Sequence, residues 1–275
     1  MTFLTFIISF FHYTIKRLPL CVLFFTSVIT AQEIQTTRIS KTPLEADRFI
    51  GVDDFDHIYY IHNAVFYKKG PENTLLYTNL QLGTIGDIDI LNPLEITVFY
   101  PDFNTVIKLD NTLNEIIKID FNQLQQFRTV QYTTTANDKN LWIFNTDLQQ
   151  LELFNYQTRE ITPINQPLNQ EVITQKSDYN FCRLLTRKTL LTYNIYGSLL
   201  SVTPAKGYET FSQSGNHTIL KKQHRLFYRK EGSSRIMSLK ISDIHVKDFY
   251  ITANNLYIYD GKNVHHYQLN FSKKE

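Results

Sequence analysis

Short runs of apolar and aromatic residues recur along the chain, and each is separated from the next by a small polar segment. Six of these runs are especially similar and occupy residues 58–61, 96–100, 141–144, 190–193, 226–228 and 256–259. Their first residues lie 38, 45, 49, 36 and 30 positions apart, a spacing typical of the blades of a β-propeller. Because β-branched and aromatic runs bounded by Asn, Asp, Gly or Pro indicate strands, each run predicts one strand of a repeated unit.

Further strand patterns flank each run. One strand is predicted before it, at 49–52, 85–90, 130–134, 181–185, 218–220 and 249–252, and another after it, at 64–68, 105–109, 151–154, 199–202, 235–239 and 264–269. A fourth strand is predicted in most repeats, for instance at 74–77 and 116–119. No segment shows helical periodicity over three turns, so we expect less than about a tenth of the domain to be helical.

The last repeat ends without a fourth strand of its own. Segment 33–40, at the other end of the domain, alternates in a strand-compatible way. Pairing of this segment with 264–269 would join the two chain ends and leave no open blade. The sequence therefore predicts an all-β fold, a single β-propeller of about six four-stranded blades closed by an N-terminal strand.

The N-terminal segment has the pattern of a secretory signal peptide. Lys16 and Arg17 precede an apolar run at 18–29, and the small residue Ala31 follows it. The run has about a dozen residues, too few to span a bilayer comfortably. We expect residues 1–31 to be a signal peptide and 32–275 to be the propeller domain. The apolar stretch 2–15 leaves two alternatives open, a translation start further downstream or an uncleaved anchor made of both runs.

Removal of residues 1–31 leaves 26 basic and 26 acidic residues and a single cysteine, Cys182. A neutral chain lacks the electrostatic footprint of a nucleic-acid-binding protein, so no nucleic acid partner is expected. One cysteine cannot form an intramolecular disulfide. The apolar surroundings of Cys182 predict a small core residue and not a nucleophile.

Charge is nevertheless distributed unevenly along the chain. Residues 45–120 contain 13 acidic and 5 basic side chains, whereas residues 183–247 contain 12 basic and 3 acidic ones. In a ring of blades these segments would occupy different sides. The resulting lateral asymmetry would orient the protein against a partner or an anionic surface, unless the charges are simply solvated and unevenly shared.

No recognised catalytic, phosphate-binding or dinucleotide-binding motif occurs in the sequence. Two groups resemble metal ligands, the acids Asp53, Asp54 and Asp56 and the histidines His57, His62, His265 and His266. The acids lack the spacing of a calcium loop, and adjacent histidines on a strand point to opposite faces, so a solvated turn and ordinary histidines are favoured. The isolated acids Asp87, Asp89, Asp102 and Glu115 would form a carboxylate pair only if the fold brought them together. We therefore assign no catalytic residue, metal or cofactor.

Turns between the second and third strands of the blades are expected to share one face of the propeller. Such loops form adaptable contact surfaces, and their aromatic residues are the expected anchors. The predicted binding residues are Asn63, Asp102, Phe103, Asn104, Tyr196 and Asp260, with segment 231–233 in the same class of turn.

The phrases at 48–60 and 91–106 resemble those of an uncharacterised family of secreted, β-propeller-like proteins of Flavobacteria-type (Bacteroidetes) bacteria. The resemblance covers most of residues 32–275 but carries no catalytic or binding motif. It implies an exported protein, periplasmic or associated with the outer membrane. The function expected is a non-enzymatic interaction scaffold of the cell envelope with a protein partner. The alternatives are a carbohydrate-binding module with a glycan ligand and an envelope hydrolase or lyase.

Overall fold

A computed structural model describes residues 34–241 and 244–270 of the protein. These residues form six four-stranded antiparallel sheets arranged as the blades of a β-propeller. The helical content is confined to two short 3-10 turns, Pro101–Phe103 and Phe121–Gln123. The predicted all-β fold and the count of six blades are therefore confirmed.

The strands are numbered along the chain, beginning with β1 (Gln35–Pro43). Blade 1 consists of β2 (Arg48–Val52), β3 (Ile58–His62), β4 (Val65–Lys69) and β5 (Thr74–Tyr77), and blade 2 of β6 (Asp87–Asp89), β7 (Glu95–Tyr100), β8 (Thr105–Asp110) and β9 (Glu115–Asp120). Blade 3 consists of β10 (Val130–Thr135), β11 (Asn140–Asn145), β12 (Gln150–Asn155) and β13 (Ile161–Pro163), and blade 4 of β14 (Val172–Ser177), β15 (Phe181–Thr186), β16 (Thr189–Asn194) and β17 (Leu199–Pro204). Blade 5 consists of β18 (Thr210–Ser214), β19 (His217–Lys222), β20 (Arg225–Lys230) and β21 (Ile236–Ser238), and blade 6 of β22 (Asp248–Thr252), β23 (Asn255–Tyr259), β24 (Asn263–Asn270) and β1.

Six clusters of buried apolar side chains hold the ring together, and each lies between two neighbouring blades. Between blades 1 and 2, Tyr59 and Phe66 pack with Ile88 and Ile96, and the other five interfaces are built in the same way. Each blade therefore buries apolar residues on both sides, which explains the dense aromatic runs in the sequence. Cys182 is fully buried in the cluster between blades 3 and 4, as predicted, and burial raises the pKa of its thiol.

The ring is closed by the N-terminal strand. β1 pairs antiparallel with β24, from Gln35 opposite Asn270 to Pro43 opposite Asn263, with a bulge after Arg38. The predicted closure is confirmed, and the strand extends three residues beyond Ser40. The Tyr259 hydroxyl donates to the Ala46 carbonyl at 2.8 Å and accepts from the Ala46 amide at 3.1 Å, which fixes the chain as it passes from β1 to β2.

The strand order within blades 4 and 5 differs from the prediction. Runs 190–193 and 226–228 lie in the third strands β16 and β20, and the predicted first strands 181–185 and 218–220 are the second strands β15 and β19. The true first strands, β14 and β18, read Val-Ile-Thr-Gln-Lys-Ser and Thr-Phe-Ser-Gln-Ser. β14 has only two apolar residues and β18 only one, whereas the second and third strands of the same blades contain the longer apolar runs, so the sequence pattern identifies those strands instead.

The predicted signal peptide at 1–31 lies outside the described residues. Within the described residues, no helix is long and apolar enough to cross a membrane.

Candidate functional site

The antiparallel blades give the propeller two faces. The entry face, as we call it, carries the connections between blades and the turns between second and third strands, because the first strand of every blade begins there. The exit face carries the turns between first and second strands and between third and fourth strands. Hydrogen bonds link the segments of each face, for example from the Asn63 amide to Asp47 Oδ2 on the entry face and from the Ile195 amide to the Asn180 carbonyl on the exit face.

Five predicted binding residues, Asn63, Asp102, Phe103, Asn104 and Asp260, lie on the entry face in turns between second and third strands. The expectation that Tyr196 joins them is wrong. Its turn connects β16 to β17, the third and fourth strands of blade 4, and therefore lies on the exit face. Segment 231–233 lies on the exit face for the same reason.

Two of the entry-face residues are occupied in holding their turns. Asn104 has a left-handed backbone with φ of 49°. Its side chain donates to the Arg128 carbonyl at 2.6 Å and accepts from the Val130 amide at 3.0 Å, which ties blade 2 to blade 3. Such side-chain bonds to nearby backbone groups are typical of Asn in turns.

Asp260 has a similar structural role in blade 6. Its Oδ1 accepts hydrogen bonds from the backbone of Lys262 and Asn263, and its Oδ2 lies 2.7 Å from Nε2 of His265. Burial alone would raise the pKa of Asp260, but these hydrogen bonds outweigh it and lower the pKa. The side chain of Phe103, in contrast, is 49% exposed and free to contact a partner.

Tyr196 belongs to a second surface, the outer edge of blade 4. Tyr196 is 85% exposed, and Leu199, Leu200 and Val202 in the outermost strand β17 are 48%, 52% and 54% exposed. We call these four residues the blade-4 edge. β17 has no charged residue, and no described strand pairs with its outer side, so its backbone groups on that side lack a strand partner.

The other outermost strands are protected in the ways that natural proteins use to prevent edge pairing. β13 and β21 have three residues each and β5 has four. β9 carries Glu115, Lys118 and Asp120, and β1 carries Arg38 and Lys41 and ends in Pro43. β17 also ends in Pro204 and has a bulge at Leu200, but among the described residues it is the one outermost strand of six or more residues that carries no charged side chain.

The innermost strands of all six blades surround a central cavity of about 540 Å³. Their register places two rings of side chains along it. The upper ring, nearer the entry face, consists of Arg48, Asp87, Tyr132, Thr174, Thr210 and Asp248. The lower ring consists of Ile50, Asp89, Thr134, Lys176, Ser212 and Tyr250. The sequence prediction missed this arrangement, apart from naming Asp87 and Asp89 among the scattered acids.

Ionic contacts in the cavity centre on Asp87. Its carboxylate lies 3.6 Å from Nη2 of Arg48 and 3.3 Å from Nζ of Lys176. Asp89 accepts hydrogen bonds from the backbone amides of Leu91 and Thr135. Asp248 accepts one from the Phe49 amide, and burial raises the pKa of its carboxyl in spite of that bond and of nearby basic residues.

The remaining candidates from the sequence form hydrogen bonds or ring contacts with neighbouring residues of the fold. Asp53 accepts hydrogen bonds from the backbone of Phe55 and His57 and from the Tyr59 hydroxyl, so it organises a turn. His265 contacts Asp260, while His266 stacks on Tyr257 with ring centroids 4.6 Å apart. Glu115 accepts from the Tyr77 hydroxyl on the outside of blades 1 and 2, away from Asp87 and Asp89.

Comparison with known proteins shows the fold alone. No protein-family model matches the chain, and no curated protein matches its sequence. The WD40 repeats of RRP9 align with 86% of this chain and all of their own length at 10% identity and a TM-score of 0.59. Virginiamycin B lyase from Staphylococcus aureus aligns with 86% of this chain and all of its own at 7% identity and a TM-score of 0.55.

PorZ, a bacterial surface component of the type-IX secretion system of Porphyromonas gingivalis, aligns with 85% of this chain at 11% identity and a TM-score of 0.49. This chain spans only 39% of the PorZ chain. Propellers with these low identities serve very different roles, so they do not identify a function. The resemblance to a Flavobacteria-type family stays a prediction.

Proposed function

We propose that this protein is an exported, non-enzymatic scaffold that binds a protein partner in the bacterial cell envelope. The observation that carries this proposal is the blade-4 edge, an outermost strand with exposed apolar side chains and no protecting charge. A strand of this kind is a template for pairing with another chain. A partner that adds an extended segment to β17 would satisfy its outer backbone groups and cover Leu199, Leu200 and Val202.

Two further features support a protein partner. Tyr196 lies at the end of this strand, and exposed aromatic residues are frequent anchors of protein interfaces. Blades 4 and 5 carry most of the basic residues of segment 183–247, whereas blades 1 and 2 carry the acidic segment 45–120 on the opposite side of the ring. This charge distribution favours approach of an acidic partner segment to the side where the blade-4 edge lies.

The entry face adds a second, smaller contact region in this proposal. Phe103 and Asp102 are exposed there, and Asn63, Asn104 and Asp260 hold the surrounding turns. The signal-peptide pattern at 1–31 supports export, and the family resemblance supports a location in the periplasm or at the outer membrane.

A photo-cross-linking amino acid at position 200 tests the proposal in intact cells of the native bacterium. We expect a discrete cross-linked product that disappears when Val202→Lys is added, since a lysine on an edge strand opposes pairing. Val202 is 54% exposed, so this substitution should change the free energy of unfolding by less than about 0.5 kcal/mol.

The matched control is the same cross-linker at position 76, where Leu76 is 60% exposed on the four-residue outer strand β5 of blade 1. It should give no discrete product. Absence of a product at position 200, identical products at both positions, or a product insensitive to Val202→Lys would contradict the proposal.

A further inference from the structure

The central cavity has the size of a small-molecule site. Its volume of about 540 Å³ lies within the range of roughly 300 to 1,000 Å³ that is typical of ligand pockets. All six innermost strands contribute to its wall, so the backbone of these strands holds its polar groups in place. The blade-4 edge lies on the outermost strand of one blade and plays no part in this cavity.

The charges of the cavity favour a neutral ligand. Arg48 and Lys176 both contact Asp87, so neither cation is left unpaired to hold an anion. Asp89, Asp248 and Lys247 add two carboxylates and one ammonium group to the same wall, so the lining has three charged groups of each sign. A cationic group, in turn, would have to approach the paired Arg48 and Lys176.

Unused hydrogen-bonding groups favour a ligand rich in hydroxyls. The hydroxyls of Thr174, Thr210 and Tyr250 line the cavity without a hydrogen bond to any described residue. Gln213 also lines it, and its side-chain amide has no hydrogen-bond partner among the described residues. Groups that can both donate and accept match the hydroxyls of a ligand, which do the same.

Aromatic rings complete the wall. Tyr132 stands in the upper ring and Tyr250 in the lower ring. The C–H face of a sugar ring packs on aromatic rings while its hydroxyls reach the polar groups around them, so a wall that combines aromatic rings with polar groups suits it.

We propose that the central cavity binds a small neutral carbohydrate, a mono- or disaccharide, between Tyr132, Tyr250 and the polar residues Thr174, Gln213 and Asp248. This site is distinct from the blade-4 edge, and either can exist without the other.

Isothermal titration calorimetry of the purified protein tests this assignment with sugars that differ in charge. The neutral probes are glucose, N-acetylglucosamine and cellobiose, and the charged ones are glucosamine and glucuronate. We expect at least one neutral probe to bind with a dissociation constant of about 1 mM or tighter. Its charged counterparts should bind at least about tenfold more weakly, because the three basic and three acidic residues of the lining leave no net charge to compensate a charged group.

Two nearly isosteric variants locate the binding. Thr174→Val and Gln213→Met each remove hydrogen-bonding groups of the cavity and should each weaken the neutral probe by about tenfold. Gln81→Met, at an exposed position outside the cavity, is the matched control and should leave binding unchanged. Circular dichroism melting curves would verify that all three variants are folded.

The assignment is overturned if none of the three neutral probes binds, or if glucosamine or glucuronate binds more tightly than they do. Binding that is equal in Thr174→Val, Gln213→Met and the original protein would place the sugar elsewhere and would also overturn it.

Discussion

At the scale of single residues, Asp248 lines the cavity at a cost in stability. Its carboxylate lies in the upper ring, and burial raises its pKa although Phe49 and nearby basic residues favour the charged form. A carboxyl whose pKa is higher in the folded state than in the unfolded state destabilises the fold when it is ionised. A group retained at such a cost is often functional.

We therefore predict that Asp248→Asn raises the melting temperature at pH 7, because the amide oxygen can still accept from the Phe49 amide and no charge is buried. The advantage should shrink as the pH falls toward about 4 and the original carboxyl becomes protonated. Thermal melts between pH 8 and pH 4.5 measure this. Asp102→Asn, at an exposed position, should show little effect at either end, and a lower melting temperature for Asp248→Asn at pH 7 would refute the explanation.

A second group of charges lies between blades 2 and 3. There the ionised carboxylate of Glu95 stabilises the fold, whereas the ionised carboxylate of Asp248 destabilises it. Lys108 is 1% exposed, and its Nζ lies 3.4 Å from Glu95 Oε1 and 2.8 Å from Thr97 Oγ1. Burial alone would raise the pKa of Glu95, but the Tyr156 hydroxyl, Lys108 and Lys139 outweigh it and lower the pKa. Glu95 thus contributes stability that is present above its unfolded pKa near 4.3 and is lost as the pH falls through its lower folded value.

Glu95→Gln should lower the free energy of unfolding at pH 7 by about 2 to 3 kcal/mol, because it leaves a buried lysine without its counter-charge. Urea denaturation measures the change. Glu171→Gln breaks the ion pair with Arg187, in which both side chains are more than half exposed, and should cost less than about 0.5 kcal/mol. If Glu95→Gln cost as little as Glu171→Gln, the buried pair would not be important for stability.

At the scale of elements, β1 is a largely exposed strand that is nevertheless important for closing the ring. It buries little surface, yet it completes blade 6 and joins the first and last parts of the ring. Since every blade packs on two neighbours, a weakened blade 6 affects its interfaces with both blade 5 and blade 1.

Deletion of residues 33–40 should lower the melting temperature by several degrees, corresponding to roughly 1 kcal/mol or more. Differential scanning calorimetry would show the shift, and the transition should remain single because the ring unfolds cooperatively as a whole. Lys41→Ala changes an exposed side chain of the same strand and keeps its backbone pairing, so it should melt like the original protein. An unchanged curve after the deletion would contradict a role for β1 in closure.

At the scale of the whole molecule, acidic and basic residues are concentrated on opposite sides of the ring. In a six-bladed circle blade 4 lies opposite blade 1 and blade 5 opposite blade 2, so the acidic segment 45–120 and the basic segment 183–247 occupy opposite sides. The asymmetry deduced from the linear sequence thus becomes a lateral one, as expected. In the proposed function, this asymmetry would orient the protein toward a charged partner.

Export is a property of the whole chain that the signal-peptide pattern predicts. Mass spectrometry of the protein from its native cells should find an N-terminus near Gln32, because Ala31 follows the apolar run. Recovery of an intact Met1 form in the cytoplasm would contradict export, whereas an intact form in membranes would favour the anchor alternative.

The sequence by itself determined most of the strands, the six blades and the closing strand. These depend on apolar runs at near-regular spacing, and the pairing of neighbouring strands is local along the chain. The unpaired last repeat and the spare segment at 33–40 were sufficient to predict closure, because an open blade edge is unfavourable. The buried position of Cys182 was predicted from its apolar neighbours in the sequence.

Only the tertiary structure decided which strand is innermost in blades 4 and 5 and, with it, the face on which Tyr196 lies. β14 and β18 contain two apolar residues and one, respectively, so the sequence pattern predicts the inner strands at the apolar runs of their neighbours in the blade. The cavity itself was invisible in the sequence, because Arg48, Asp87, Lys176 and Asp248 come from four different blades and meet only when the ring closes. The same closure decides that Leu199, Leu200 and Val202 remain exposed on the outermost strand, since their sequence pattern alone resembles that of a buried strand.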